Sequence, residues 1–258
     1  MEITVRQARK EDIEQMLQVY NSFTQQFVGS ASRTPRHFRR MLQRKDNINF
    51  VALDKQNRII GYVQARYEKR LNRGEFREIV VDPKQDFEQI AEQLAKKINA
   101  FFMEKRVSEI VAGSVQNPAY QKLFPKLGFF ETESMGVFMF AILNVRKFLN
   151  ELSPVFVNRL KQLENWNGHA QIECKGQSIF LEKISESVQQ VIWTNQPINL
   201  KITLAQELLT KLIFGIADPI ESHRTGQLKV ETIEGSAKTN QLLKALFPKR
   251  QFLIMDYW

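Results

Sequence analysis

Residues 75–97, EFREIVVDPKQDFEQIAEQLAKK, restrict the fold more than any other part of the chain. Residues 76–81 are aromatic and β-branched in the manner of a buried strand, and Asp82-Pro83 stops that strand because proline has no N–H to extend a ladder. Phe87, Ile90, Ala91, Leu94 and Ile98 then recur at three- and four-residue spacing, with Glu88, Glu92, Lys96 and Lys97 between them, which is the pattern of an amphipathic helix. A strand that ends abruptly and feeds a helix leaves the first helical N–H groups unpaired, and such an end attracts anions. On these residues alone two readings stay open: an ordinary strand-turn-helix unit, or an anion-binding turn.

The 258 residues suit one large domain or two medium ones, and 43% apolar content is ample for buried cores. A formal charge of +9 and a pI near 9.6 favour polyanionic partners: a phosphate-rich cofactor, nucleic acid or an acidic surface. The single Cys174 excludes an internal disulfide and a cysteine-based metal cluster. His37, His169 and His223 are far apart without ligand spacing, so no metal is expected. No run of about eighteen apolar residues occurs, and MEITVRQARKED lacks the apolar core of a secretory signal, so a cytoplasmic location without a membrane span is expected. The basic residues do not interleave with aromatics, which argues against a nucleic-acid partner.

In chain order, residues 3–8 alternate as a strand, and Glu11-Asp12 opens a helix with Ile13, Met16, Leu17 and Tyr20 on one side. A second helix starts after Thr34-Pro35, and Arg33, Arg36, Arg39, Arg40, Arg44 and Lys45 make this stretch strongly basic around Phe38 and Met41. It reads as a solvated face or as a docking surface for an acidic substrate. Residues 48–53 and 59–67 form a hairpin across the turn-forming loop 54–58, and a turn at 72–74 leads into the strand 76–81. After the long helix come a strand at 109–115, a helix begun by Asn117-Pro118 and ended by Gly128, and two strands at 129–133 and 135–142.

The order β-α-α-β-β-β-α-β-α-β-β, with FVALDKQNRIIGYV, IVVDP and NPAYQKLFPKLGFFE, resembles the GNAT (Gcn5-related) N-acetyltransferases over residues 2–142. The last segment resembles the family pattern N-x-x-A-x-x-L-Y-x-K-x-G-F, which Asn117, Leu123, Lys126, Gly128 and Phe129 match. The resemblance implies an acyl-CoA-binding domain at residues 1–143, with acetyl-CoA as cosubstrate and direct attack of an amine on the thioester. The thioester would lie beside the backbone of Ile79, Val80 and Val81, and the diphosphate at the turn carrying Lys84, Asp86, Phe87, Gln89, Ile90 and Ala91, with Asn117 and Phe124 on the facing helix. The family's diphosphate loop reads [QR]-x-x-G-x-[GA]; of Asp86, Gln89 and Ala91 at those positions, only Ala91 fits. Phe124 stands where the family often has a tyrosine acid, and Tyr120, four residues earlier on the same helical face, is the candidate to replace that hydroxyl or is packing. Glu78 is either a base or a strand carboxylate paired with Arg77 or Arg66.

In the second half, a helix from Val145, a second after Pro154, strands at 169–174, 178–184 and 187–193, a helix at 203–214 capped by Thr203, a strand at 226–234, a helix begun by Ser236 and a closing strand at 252–255 are expected. WNGHAQIECKGQSIFLEKI, LAQELLTKLIFG and LLKALFPKRQFLIMDYW resemble the sterol-carrier-protein-2-like fold over residues 144–258. The whole is thus expected to be α+β: a mixed sheet flanked by helices, then an SCP2-like α+β domain, similar to a shortened enhanced-intracellular-survival-type acetyltransferase. That resemblance implies a base in the terminal carboxylate of Trp258, or in Asp256. Ile213, Phe214, Leu243 and Phe247 either fill a core or line an apolar cavity. Two functions follow: an N-acetyltransferase acting on a small-molecule or protein amine, with a homo-oligomer allowed, or a GNAT-derived binding or scaffold protein without catalysis.

Overall fold

The computed structural model describes residues 2–27, 29–112, 118–130, 142–191 and 197–250. They fall into two compact units, one within residues 2–130 and the other within 142–250.

In the first unit, β1 (Thr4–Gln7) leads through a single 3-10 turn into α1 (Ile13–Thr24), followed by α2 (Pro35–Gln43). Then come β2 (Asn47–Leu53), β3 (Ile59–Glu68), β4 (Arg73–Val81), α3 (Phe87–Glu104), β5 (Glu109–Ala112) and α4 (Pro118–Lys126). The strands lie in the order β1-β2-β3-β4-β5, all antiparallel except the parallel pair β4 and β5. Tyr62 on β3 meets Phe38 of α2 edge to face, with ring centroids 5.8 Å apart. A Cβ at the neighbouring Gly61 would lie 3.0 Å from Ile90 of α3. Successive strand residues point to opposite faces, so α2 and α3 cover opposite sides of the sheet.

The apolar stripe read in the sequence is the one α3 buries: Ile90, Ala91, Leu94 and Ile98, joined by Ala95 and Phe102. Gly74 is required where Phe102 crosses β4, since a Cβ there would sit 2.7 Å from the ring. The strand at 109–115 is described as far as Ala112, and the expected strands at 129–133 and 135–142 lie almost wholly outside the described residues.

The second unit opens on α5 (Val145–Lys161), then β6 (Gly168–Cys174), β7 (Gln177–Ile184), β8 (Ser187–Val191), β9 (Leu200–Leu204), α6 (Gln206–Ile213), α7 (Pro219–Arg224), β10 (Leu228–Thr232) and α8 (Ser236–Leu246). Its sheet runs β10-β9-β6-β7-β8, with β6 and β9 parallel. Two expectations need correction, and one element is new. Pro154 does not divide α5: it sits on the exposed side, and the buried Leu149, Phe156 and Leu160 hold the helix together across it. Losing one helical hydrogen bond and straining the turn costs about 3 kcal/mol, less than three large side chains gain by burial at about 2 kcal/mol each. Thr203 is no helix cap but lies in β9, whose Leu200, Ile202 and Leu204 alternate inward; α6 begins three residues after it, at Gln206, with Ala205 as its N-cap. Helix α7, unforeseen, is started by Asp218, which accepts the N–H groups of Ile220 and Glu221 ahead of Pro219 in the first turn.

Leu243 and Phe247 are buried in this unit's core, and Ile213 packs against it. The end of the strand expected at 187–193 and the closing strand at 252–255 lie outside the described residues.

Candidate active site

The site lies in the first unit, where the C-terminal half of β4 meets the start of α3 and the helix α4. Register sets the local geometry of β4 there. Gln64 pairs with Glu78 and Ala65 with Phe76, so Arg77 is the extra residue of a bulge. On the other edge, β4 pairs with β5 from Arg73–Glu109 to Phe76–Ala112 within the described residues. Past that point the Ile79 carbonyl accepts a hydrogen bond from the Tyr120 hydroxyl on α4. The side chains of Ile79, Val80 and Val81 belong to the core, so what this strand can offer a ligand is its backbone.

Tyr120 is held by aromatic packing. It stacks on Phe124 with centroids 6.0 Å apart and an interplanar angle of 18°, and meets Phe87 of α3 edge to face at 5.6 Å. Phe124 also contacts Phe76 and Phe129. The four-residue spacing thus puts Tyr120 and Phe124 on one face, and it is the tyrosine that reaches β4.

The turn before α3 is ordered by acids. Asp82 accepts the Lys84 N–H through its side chain at 3.0 Å and the Gln85 N–H through its carbonyl at 2.9 Å. Asp86 is the N-cap, its carboxylate accepting the Gln89 N–H at 3.1 Å. Among the described residues this leaves the amides of Phe87 and Glu88 open at the helix start. Lys84, Asp86 and Gln89 are exposed and Phe87 half-buried, whereas the side chains of Ile90 and Ala91 are fully buried and can contribute only backbone. Lys126 at the end of α4 ion-pairs with Glu88, offsetting an acid near the open amides. Two open amides, the helix dipole and the Lys84 ammonium suit a diphosphate; the Asp86 carboxylate, already on the third amide, opposes one.

Glu78 meets neither of the arginines expected for it. Arg66 bonds to Asp46 at 2.7 Å and Arg77 to Glu75 at 3.0 Å. The partner of Glu78 is Arg33, bidentate at 2.7 and 2.8 Å, with both side chains 2% exposed. Arg33, expected on a solvated basic face, is therefore buried. Its guanidinium lies 4.1 Å from the Tyr20 ring centre and 3.4 Å from the Tyr62 hydroxyl. Burial opposes its charge, but Glu78 beside it holds the pKa above the ordinary arginine value. Burial, reinforced by the Glu78 charge, likewise pushes the Tyr62 phenol well above its usual range. Both Glu78 oxygens are engaged, so in this arrangement the carboxylate orders the segment before α2. No local signal marks Arg33, because its partner is 45 residues away.

Asn117 and Trp258 lie outside the described residues. Among the described residues no group of three or more His, Cys, Asp or Glu could hold a metal ion, and no helix is long and apolar enough to cross a membrane.

The family model for the acetyltransferase (GNAT) family matches residues 13–129. Residues 13–129 of the first unit are thus similar to the GNAT acetyltransferases. Among solved structures, a GCN5-related N-acetyltransferase from Kribbella flavida is 13% identical, with a TM-score of 0.58 over 99% of this chain and 60% of its own. The present chain thus spans about three-fifths of that protein's length. An acetyltransferase from Trypanosoma brucei, 15% identical, covers 54% of this chain and 100% of its own at a TM-score of 0.44. AAC(6')-Iy, solved with a CoA-containing bisubstrate analogue, is 20% identical over 55% of this chain and 100% of its own, at 0.44. Such identities speak for the fold alone. No curated protein matches the sequence. In the region that matches, Tyr120 brings a hydroxyl to β4, and Phe124 packs beside it.

Proposed function

We propose that the protein moves an acetyl group from acetyl-CoA to a primary amine by direct attack. Acetyl-CoA, when bound, supplies the activated thioester carbonyl. The observation that carries the reading is the Tyr120 hydroxyl donating to the Ile79 carbonyl on the C-terminal half of β4. In this reading the backbone of Ile79, Val80 and Val81 lies along the thioester arm, and Tyr120 gives its proton to the departing sulfur. The start of α3 holds the diphosphate through the amides of Phe87 and Glu88 and the Lys84 ammonium, with Gln89, Ile90 and Ala91 forming the first turn behind them and Asn117 as a further contact of the cofactor. Asp86 weakens that grip. Phe124 packs the acid rather than acting, and Glu78 positions the acceptor side through Arg33. The amine gives up its proton to the terminal carboxylate of Trp258, with Asp256 as the alternative.

We place residues 144–258 as an SCP2-like domain, in a shortened enhanced-intracellular-survival-type arrangement, in the cytoplasm. The second unit's mixed sheet, in which β6 and β9 run parallel, supports the fold part of this reading.

Calorimetric titration with acetyl-CoA, followed by thiol release in the presence of amines, tests the reaction. Tyr120→Phe should leave acetyl-CoA affinity within about threefold and lower kcat about 10²- to 10⁴-fold; a kcat within twofold of wild type would remove Tyr120 as the acid. Adding residues after Trp258 should abolish transfer, and unchanged turnover would exclude the terminal carboxylate.

A further inference from the structure

Helix α2, PRHFRRMLQ, buries Phe38 and Met41, half-buries Pro35, His37 and Leu42, and turns its arginines outward. Arg36, Arg39 and Arg40 on the helix and Arg44 and Lys45 just beyond it are exposed. None of these five cations has a carboxylate within ion-pair distance among the described residues. Elsewhere in the same unit Arg6, Arg58, Arg66, Arg73 and Arg77 are paired with Asp12, Asp54, Asp46, Glu68 and Glu75. The clustering works against the helix that carries it: Arg36 with Arg39 and Arg40, and Arg40 with Arg44, are like charges three and four residues apart. No acid in the first turn meets the positive end of the dipole. A bound anion would relieve both.

The face is also fixed in position. Arg33, two residues before Pro35, is clamped to Glu78 on β4, one residue from the Ile79 carbonyl that Tyr120 reaches. We propose that the outward face of α2, carried by Arg36, Arg39, Arg40 and Arg44, docks an acidic peptide stretch of the acetyl acceptor. The inference rests on the amine-acetylating reading for what the partner is. Arginines four apart on a helix are spaced by about 6 Å along its axis, close to the roughly 6.5–7 Å between alternate residues of an extended peptide, so acids at every second position match them. Among the described residues α2 presents Phe38 inward, leaving no exposed phenylalanine, tyrosine or tryptophan on its surface to stack bases, which favours a peptide over a nucleic acid.

The test uses the full chain and three fluorescent probes: a Glu-Ala alternating peptide with a free amino terminus, its Gln-Ala counterpart, and a single-stranded oligonucleotide. R36Q/R39Q/R40Q/R44Q is compared with K97Q/K175Q/K229Q/K244Q, which removes the same charge from exposed positions elsewhere. The expected result is anisotropy-detected binding of the acidic peptide alone by wild type and control, weakening with salt, and about tenfold or more weaker for the α2 variant. The α2 variant should also raise KM for the acidic peptide while leaving kcat for a small neutral-flanked amine unchanged. Equal weakening in both quadruple variants would overturn the proposal, as would tighter binding of the oligonucleotide through α2. Peptide binding through α2 without acetylation, while a small amine is acetylated, would overturn the acceptor assignment. If no amine is acetylated at all, the reaction reading fails, and the anisotropy still decides the surface.

Discussion

Arg33→Met takes away a cation whose two Nη atoms lie 2.7 and 2.8 Å from the Glu78 oxygens and whose Cζ lies 4.1 Å from the Tyr20 ring centre. With both side chains 2% exposed, the carboxylate left behind is an uncompensated buried charge, a change that costs about 3–5 kcal/mol. Loss of the guanidinium over Tyr20 adds about 1–2 kcal/mol. Glu78→Gln strands Arg33 in the same way and should cost about 3–5 kcal/mol. The double variant leaves no charge behind, and the amide that replaces the carboxylate can still bond to Tyr62, so its cost should be only about 1–2 kcal/mol. The cycle should therefore be non-additive by at least about 3 kcal/mol. Calorimetry of the full chain reads this as the shift of the first unit's transition: about 10–20 °C down for each single variant, and under about 8 °C for the double. Additive losses, or a Glu78→Gln variant within about 1 kcal/mol of wild type, would refute the claim that this pair pins the segment before α2 to the sheet.

Gly74→Ala should cost about 1–3 kcal/mol in the same transition, because its Cβ would sit 2.7 Å from the Phe102 ring; pairing it with Phe102→Leu should recover part of the loss, and no recovery would point to a different cause. Burial works against the charge of Asp12, but the Arg6 guanidinium at 2.6 Å and the Arg9 N–H at 2.7 Å hold its pKa below the ordinary carboxylate value. Its folded pKa is thus the lower one, so its contribution is present above the unfolded pKa of about 3.9 and is lost as pH falls through the folded pKa. Thermal unfolding from pH 5 to pH 2 should show a shallower acid loss for Asp12→Asn than for wild type, and equal slopes would contradict the assignment.

What the sequence by itself determined is local. The apolar spacing of Ile90, Leu94 and Ile98 was enough for α3, Asp82-Pro83 for the end of β4, and the spacing of Tyr120 and Phe124 for their shared face, because each depends on neighbours within a turn or a strand. Short-range signals also misled. Thr203 and Gln206 imitate a capping box, yet Leu200, Ile202 and Leu204 gain more by joining the parallel pair with β6, a partner no local window contains. Pro154 is a helix breaker whose effect is overridden by packing. Only the tertiary structure decided which charges are buried and which stay wet. Arg33 and Arg36 belong to one basic run, but the sheet brings Glu78, Tyr20 and Tyr62 around the first and leaves the second in solvent. Burial of a charge is set by the groups that chain folding gathers about it, and here the nearest of them comes from 45 residues along the chain.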